Sequence, residues 1–113
     1  MKRGEIWIIN LDPTIGAEIR KTRPVVIVSS DDIGTLPLKV VAPITEWKAH
    51  YAEVPWMTAI TPNTQNGLEK PSSCDAFQVR SVSVERFVRK LGTIDARTMK
   101  AIAVSLTEVL DIE

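Results

Sequence analysis

Residues 15–30 read IGAEIRKTRPVVIVSS, and the way this stretch divides at Pro24 decides how the chain is read. Val25, Val26, Ile27 and Val28 form an unbroken β-branched run. Such a run predicts a strand buried on both faces. Residues 16–23 are polar and carry Glu18 among Arg20, Lys21 and Arg23. Pro24 joins the halves. Its ring fixes its own φ and pushes Arg23 out of the helical region into an extended conformation. Arg23 is therefore expected at the mouth of a rigid strand. Two readings of the charged half stay open. It is an anion site on a stiff base, as preorganised chemistry requires, or a solvated loop whose charges pair with one another.

The flanking segments supply more strands. Residues 5–11 are short, β-rich and end at Asp12-Pro13, a turn signal. Gly16 gives the following loop a flexible point. After Val28, Ser29 to Asp32 and Gly34 predict a second turn. Asp31 and Asp32 suit that solvated turn better than a metal site, because adjacent carboxylates on an extended chain point to opposite sides. Residues 38–42 are a third strand running into Pro43, which cannot donate to a ladder and so marks an edge, a bulge or a strand end. Thr45 is expected where regular pairing stops, either aimed at a site or simply finishing the strand.

Residues 51–54 and 56–60 predict a further strand interrupted at Pro55. Residues 61–67, TPNTQNG, are a turn-rich loop. Residues 73–78 alternate as a strand, 79–84 continue extended, and 89–91 predict a last strand. Asp95 is a suitable N-cap. Met99, Ile102, Ala103, Leu106, Val109 and Leu110 then recur at spacings of three and four, the stripe of an amphipathic helix. Five or more short strands and one C-terminal helix make a mainly β fold: a small antiparallel barrel, closed or nearly so, with the helix packed on it. Trp7, Trp56 and Phe77 are expected in its core, since large aromatics dominate burial; Trp47 stands close to Thr45 instead.

Length and composition bound the function. A chain of 113 residues suits one domain, 1–113, and 44% apolar with 25% charged residues is ordinary for a folded soluble protein. Lys plus Arg equals Asp plus Glu, 14 each, which argues against a protein that coats nucleic acid non-specifically. Charge is nevertheless segregated. Residues 80–90 hold four cations and one anion, a net +3, whereas 95–113 carry a net −2. One basic face is compatible with that pattern. Cys74 is the only cysteine and His50 the only histidine, so one chain has neither an internal disulfide nor a Cys/His zinc site. A reducing, cytoplasmic location is expected. No secretory signal or membrane-length apolar run is evident.

Taken together, RGEIWIINLDPTIGAEIRKTRPVVIVSSD, VVAPIT and GLEKPSSCDAFQVRSVSVERFVRKLGTID resemble the MazF/PemK toxins of bacterial toxin–antitoxin systems. The resemblance runs over nearly the whole chain. It rests on a Leu-Asp-Pro-Thr turn, a Gly-x-Glu loop, Arg-Pro before an apolar strand and a third strand ending in Thr, all in order. It implies an SH3-like barrel, related also to the CcdB fold, that works as a two-fold homodimer. The implied activity is sequence-specific cleavage of single-stranded RNA, mRNA included, without a metal ion or cofactor, so that translation and growth stop. The implied partner is an antitoxin whose acidic, flexible tail blocks the RNA groove. By the same resemblance the catalytic arginine falls on Arg23, the catalytic threonine on Thr45, and a glutamate used in proton transfer on Glu18. Gly16, Arg20, Lys21, Trp47, Gln78 and Arg80 are the expected RNA contacts. Two positions depart from the family pattern: Phe77 replaces an acidic residue before Gln78, and Ile19 follows Glu18 where Gln is common.

The residues suit this chemistry. Metal-free RNA cleavage uses the 2′-hydroxyl as an internal nucleophile and therefore spares DNA. It needs a proton acceptor, a stabiliser of phosphorane charge and a proton donor to the leaving oxygen. The planar fork of Arg23 matches phosphate oxygens, Thr45 can donate to the same phosphate, and Glu18 is the available acceptor. His50 reads as a loop residue near Tyr51, since a catalytic titratable group needs a placed partner. Cys74 reads as a small buried hydrophobe. Two rivals carry the same fold. One is a non-enzymatic toxin that binds a protein target such as DNA gyrase. The other is an inactive barrel that only binds antitoxin.

Overall fold

The computed structural model describes residues 1–11, 16, 22–33 and 35–113. Among the described residues seven strands, β1 (Glu5–Asn10), β2 (Thr22–Ile27), β3 (Leu38–Glu46), β4 (Met57–Ile60), β5 (Ser72–Asp75), β6 (Arg80–Ser83) and β7 (Phe87–Thr93), are followed by one α-helix, α1 (Ala96–Val109). All strand pairs are antiparallel, in the order β4-β5-β3-β2-β1-β7, with β6 also on β3. β3 is the strand on which the sheet turns. Its first half pairs with β2 on one side and β6 on the other, and its second half passes to β5.

β2 is buried on both faces, as its β-branched run predicts. Val26 and Val28 join Ile6, Ala42, Ile44, Ile60, Cys74, Ile94 and Ile102 in one cluster. Val25 and Ile27 join Ile9, Leu11, Val41 and Val82 in a second. Met99, Ile102 and Leu106 of α1 cover the first cluster, so these three positions of the predicted stripe face the core, whereas Leu110 lies past the helix end and is exposed. Asp95 caps α1, its carboxylate accepting the Thr98 N–H at 2.7 Å.

Three expectations fail, each for a local reason. Trp7, Trp56 and Phe77 do not fill the core. Trp7 only edges onto the second cluster, with its ring 5.6 Å from Phe87. Trp56 and Phe77 lie against each other at 5.3 Å, and Phe77 is 62% exposed. Residues 73–78 do not stay extended. Asp75 ends β5 by accepting the Phe77 N–H at 3.0 Å, and the chain turns as a 3₁₀ segment (Ala76–Gln78) that carries Phe77 to the surface. Residues 51–54 are not a strand either. Tyr51 and Val54 donate three residues back, to Lys48 and Tyr51, making a 3₁₀ turn over Ala49–Glu53. Of the three alternatives at Pro43 the strand end is excluded, since β3 runs through it to Glu46, although pairing with β2 stops there.

The two outer strands, β4 and β7, are bridged by the loop of residues 61–70. Thr93 N–H donates to the Gln65 carbonyl at 2.9 Å. The approach is possible because both sides carry glycine. A Cβ on Gly67 would strike the Leu91 carbonyl, and one on Gly92 would strike the Gln65 carbonyl. Gly67 also has φ +70°, a left-handed conformation that side chains resist. Within the loop Asn63 and Asn66 accept each other's N–H through their side chains, at 2.7 and 3.1 Å. Buried Asn66 also accepts from Leu68 N–H at 3.0 Å and donates to the Thr61 carbonyl at 2.9 Å. The Asn-rich sequence is thus a rigid brace.

Candidate active site

Between β2 and β3 the ladder runs Ile27↔Val41, Val26↔Ala42, Val25↔Pro43 and then stops. A proline stands on each strand at that point, Pro24 and Pro43, and neither has an N–H to give. The next positions along this register are Pro24 opposite Ile44 and Arg23 opposite Thr45. Beyond the break β3 keeps β5 on its other edge, with Thr45↔Ser73, and β2 keeps β1, with Ile9↔Arg23. Each strand is held from outside while the pair opens between. Thr45 therefore sits where pairing stops on one side only.

A cleft of about 350 Å³ occupies this opening. Arg23, Pro24, Ile44, Thr45 and Glu46 line it from β2 and β3, with Ile8 of β1 and Ser72 of β5. Residues 67–70 of the loop and Arg89 and Leu91 of β7 complete the wall. Ile8, Ile44, Leu68 and Leu91 are the larger apolar residues of the lining, and Arg23, Glu46, Glu69, Lys70 and Arg89 are its ionic groups. Arg23 and Thr45 are both partly exposed, so a bound anion could reach them.

The other expected site residues lie elsewhere or outside the described residues. Glu18, Arg20 and Lys21 are outside them. Gly16 is exposed with φ +63° and open space around its Cα. Trp47 follows the end of β3, its N–H donating to the Pro71 carbonyl at 2.9 Å and its ring 5.9 Å from Tyr51. Gln78 is beyond the far end of β5, donating to Asp75 at 3.4 Å. Arg80 opens β6, opposite Val41. Neither Trp47, Gln78 nor Arg80 lines the cleft. His50 is exposed, with its ring 4.6 Å from Tyr51.

Burial raises the pKa of the Asp75 carboxyl, against the hydrogen bonds from Phe77 and Gln78 that favour its charged form. Burial likewise pushes up the fully enclosed Cys74 thiol, reinforced by neighbouring Asp75. A thiol held protonated suits core packing, not nucleophilic attack. Among the described residues no group of three or more His, Cys, Asp or Glu side chains is placed to hold a metal ion. Glu46, Glu69, Lys70 and Arg89 are cleft residues that sequence reasoning did not single out. The net positive charge of residues 80–90 was the available signal for Arg89.

The family model of the PemK-like, MazF-like toxins of type II toxin–antitoxin systems matches residues 2–110. The chain belongs to that family. Endoribonuclease MazF9 of Mycobacterium tuberculosis is 31% identical over 118 residues, covering 99% of this chain and 98% of its own. Endoribonuclease EndoA of Bacillus subtilis is 30% identical over 88% of this chain and 84% of its own. Among solved structures, MazF of Deinococcus radiodurans superposes with a TM-score of 0.81 at 20% identity, over 99% of this chain and 97% of the other. A mycobacterial endoribonuclease in complex with its cognate antitoxin gives 0.80 at 18% identity, over 100% and 97%. These two establish the shared MazF fold. Among the described residues, no helix is long and apolar enough to cross a membrane.

Proposed function

We propose that residues 1–113 form one toxin barrel that cuts single-stranded RNA at specific sequences, without a metal ion or cofactor, inside the cytoplasm. The observation that carries this reading is the shared cleft of Arg23 and Thr45, opened where two prolines end the β2–β3 ladder. Its membership of the MazF/PemK family supports the same conclusion.

The 2′-hydroxyl oxygen attacks the adjacent phosphorus, its proton passing to Glu18. The bond to the 5′-oxygen breaks as that oxygen takes up a proton from solvent water, leaving a 2′,3′-cyclic phosphate and a 5′-hydroxyl. Negative charge grows on the non-bridging oxygens as the phosphorane forms. The Arg23 guanidinium meets it with two parallel N–H donors, and the Thr45 hydroxyl adds a third. Pro24 helps here by removing backbone freedom next to Arg23, so less reorganisation is needed when charge appears. Gly16, Arg20, Lys21, Trp47, Gln78 and Arg80 extend the RNA contacts beyond the cleft. A second copy of the chain and an antitoxin with an acidic flexible tail are the protein partners. That tail competes with RNA for the same cations.

Cut-site mapping on a long single-stranded RNA in EDTA, wild type beside Arg23→Ala, tests the reading. Cleavage at defined sequences in chelator is expected. Arg23→Ala should slow it by roughly a hundredfold or more, the scale of losing an oxyanion donor. Parental activity in that variant would remove Arg23 from the mechanism, and inert wild-type protein would overturn the function.

A further inference from the structure

β7 carries two adjacent cations, Arg89 and Lys90, and the fold separates them. Against β1 the register runs Ile9↔Phe87, then Ile8↔Arg89 and Trp7↔Lys90, and then Ile6↔Gly92, so Val88 and Leu91, one on each side of the Arg89-Lys90 pair, are extra residues with no partner opposite. Without the bulge at Val88, that residue would face Ile8 and Arg89 would face Trp7. The bulge moves Arg89 into the row of Ile8, which faces Pro24 on the next strand. Directly opposed residues share a face of the sheet. Arg89 thereby enters the cleft lining with Ile8 and Pro24. Lys90 falls opposite Trp7 on the other face, and there Glu5 takes its charge at 3.3 Å while also accepting the Trp7 indole N–H at 2.9 Å. Among the described residues Arg89 makes no ion pair and is exposed. Bulges of this kind recur beside active sites, where they re-aim a side chain.

Arg89 and Pro24 are two strand spacings apart, on the order of 10 Å between backbones. Arg23 adjoins Pro24 along the chain and lines the same cleft, but it stands in the neighbouring row, opposite Ile9. Two long guanidinium arms starting that far apart do not converge on one phosphate but suit two neighbouring phosphates of one strand. We propose that Arg89 binds the phosphodiester next to the scissile one, so that the RNA crosses the cleft from β2 over β1 to β7. This rests on the endoribonuclease reading above. The other charges of the cleft support the path. Glu46 stands on the β3 side and repels the backbone, while Glu69 and Lys70 offset each other on the loop side, which leaves the arginine side as the net positive track.

The test uses an oligoribonucleotide with one mapped cut site and two copies of it. Each copy carries an uncharged methylphosphonate at one linkage flanking the scissile one. Arg89→Gln should raise KM about tenfold with kcat changed less than about twofold, and should lower the salt slope of log KM by about 0.7, the value for one phosphate contact on a single strand. One methylphosphonate should raise the wild-type KM by a similar factor and leave the variant's unchanged, because both remove the same contact. Lys90→Gln should stay near wild type. An unchanged KM in Arg89→Gln overturns the proposal. So does a kcat loss as deep as that of Arg23→Ala, or a methylphosphonate penalty that adds fully to the mutation at both linkages. If the wild type cuts but Arg89→Gln matches it, this inference alone falls; if the wild type cuts nothing, the endoribonuclease reading falls first.

Discussion

Arg23 and Asp75 show how differently two charged residues are used on one sheet. Arg23 is tethered by its neighbour Pro24 and left partly open to an anion. Asp75 is buried and spends its carboxylate on the N–H of Phe77. Burial holds the Asp75 pKa above its unfolded value, so the folded state keeps this proton to higher pH than the unfolded chain does. By linkage, that group's contribution to stability falls as pH rises from the ordinary carboxylate range through the raised folded value. Asp75→Asn keeps an acceptor for Phe77 and removes the ionisation. Its stability relative to wild type should therefore improve as pH climbs from about 4 to 7. Urea denaturation of both proteins at several pH values measures this, and a constant difference would show that Asp75 titrates normally. Arg23 was legible from its sequence neighbour, because the constraint of Pro24 is covalent. The turn at Asp75 was not, because Ser73 to Gln78 alternates like a strand and only the cap bond ends it.

At the level of elements, the loop of residues 61–70 and the strand β7 fit by the absence of side chains. Gly92→Ala would place a methyl against the Gln65 carbonyl and Asn66 backbone, where nothing flexible can yield. A loss on the order of 1–3 kcal/mol is expected. Gly67→Ala should cost as much, adding the left-handed backbone to the clash with Leu91. Both should also lower RNA cleavage, since residues 67–70 wall the cleft. Thermal melts and cleavage assays together check this; a stable, fully active Gly92→Ala would mean that the loop does not brace the site. The helix could be read outright from its stripe and from Asp95, since capping and 3.6-residue periodicity are local. The 3₁₀ turn at Ala49–Glu53 could not, because Tyr51, Ala52 and Val54 have no local preference strong enough to exclude a strand.

For the whole molecule, β2 makes two core clusters one. Val25 and Ile27 face one cluster while Val26 and Val28 face the other. Ile27→Ala and Ile44→Ala, one from each cluster and both fully buried, should each cost about 2–5 kcal/mol. Unfolding should remain a single transition. Fluorescence of the indoles, with Trp7 beside the second cluster, and far-UV circular dichroism should give coincident curves. Separated midpoints would show that the clusters melt independently.

The sequence by itself determined the antiparallel β class, the doubly buried β2, the capped C-terminal helix and the placing of Arg23 at a strand mouth. Each follows from side-chain period or a covalent ring, which act within a few residues. Only the tertiary structure decided that Phe77 lies at the surface against half-buried Trp56, that the Asn66-Gly67 loop bridges β4 and β7, and that Arg89 rather than Lys90 lines the cleft. Those outcomes depend on strand register and, for Arg89, on the two extra residues in β7, and register is a property of the pairing between distant strands.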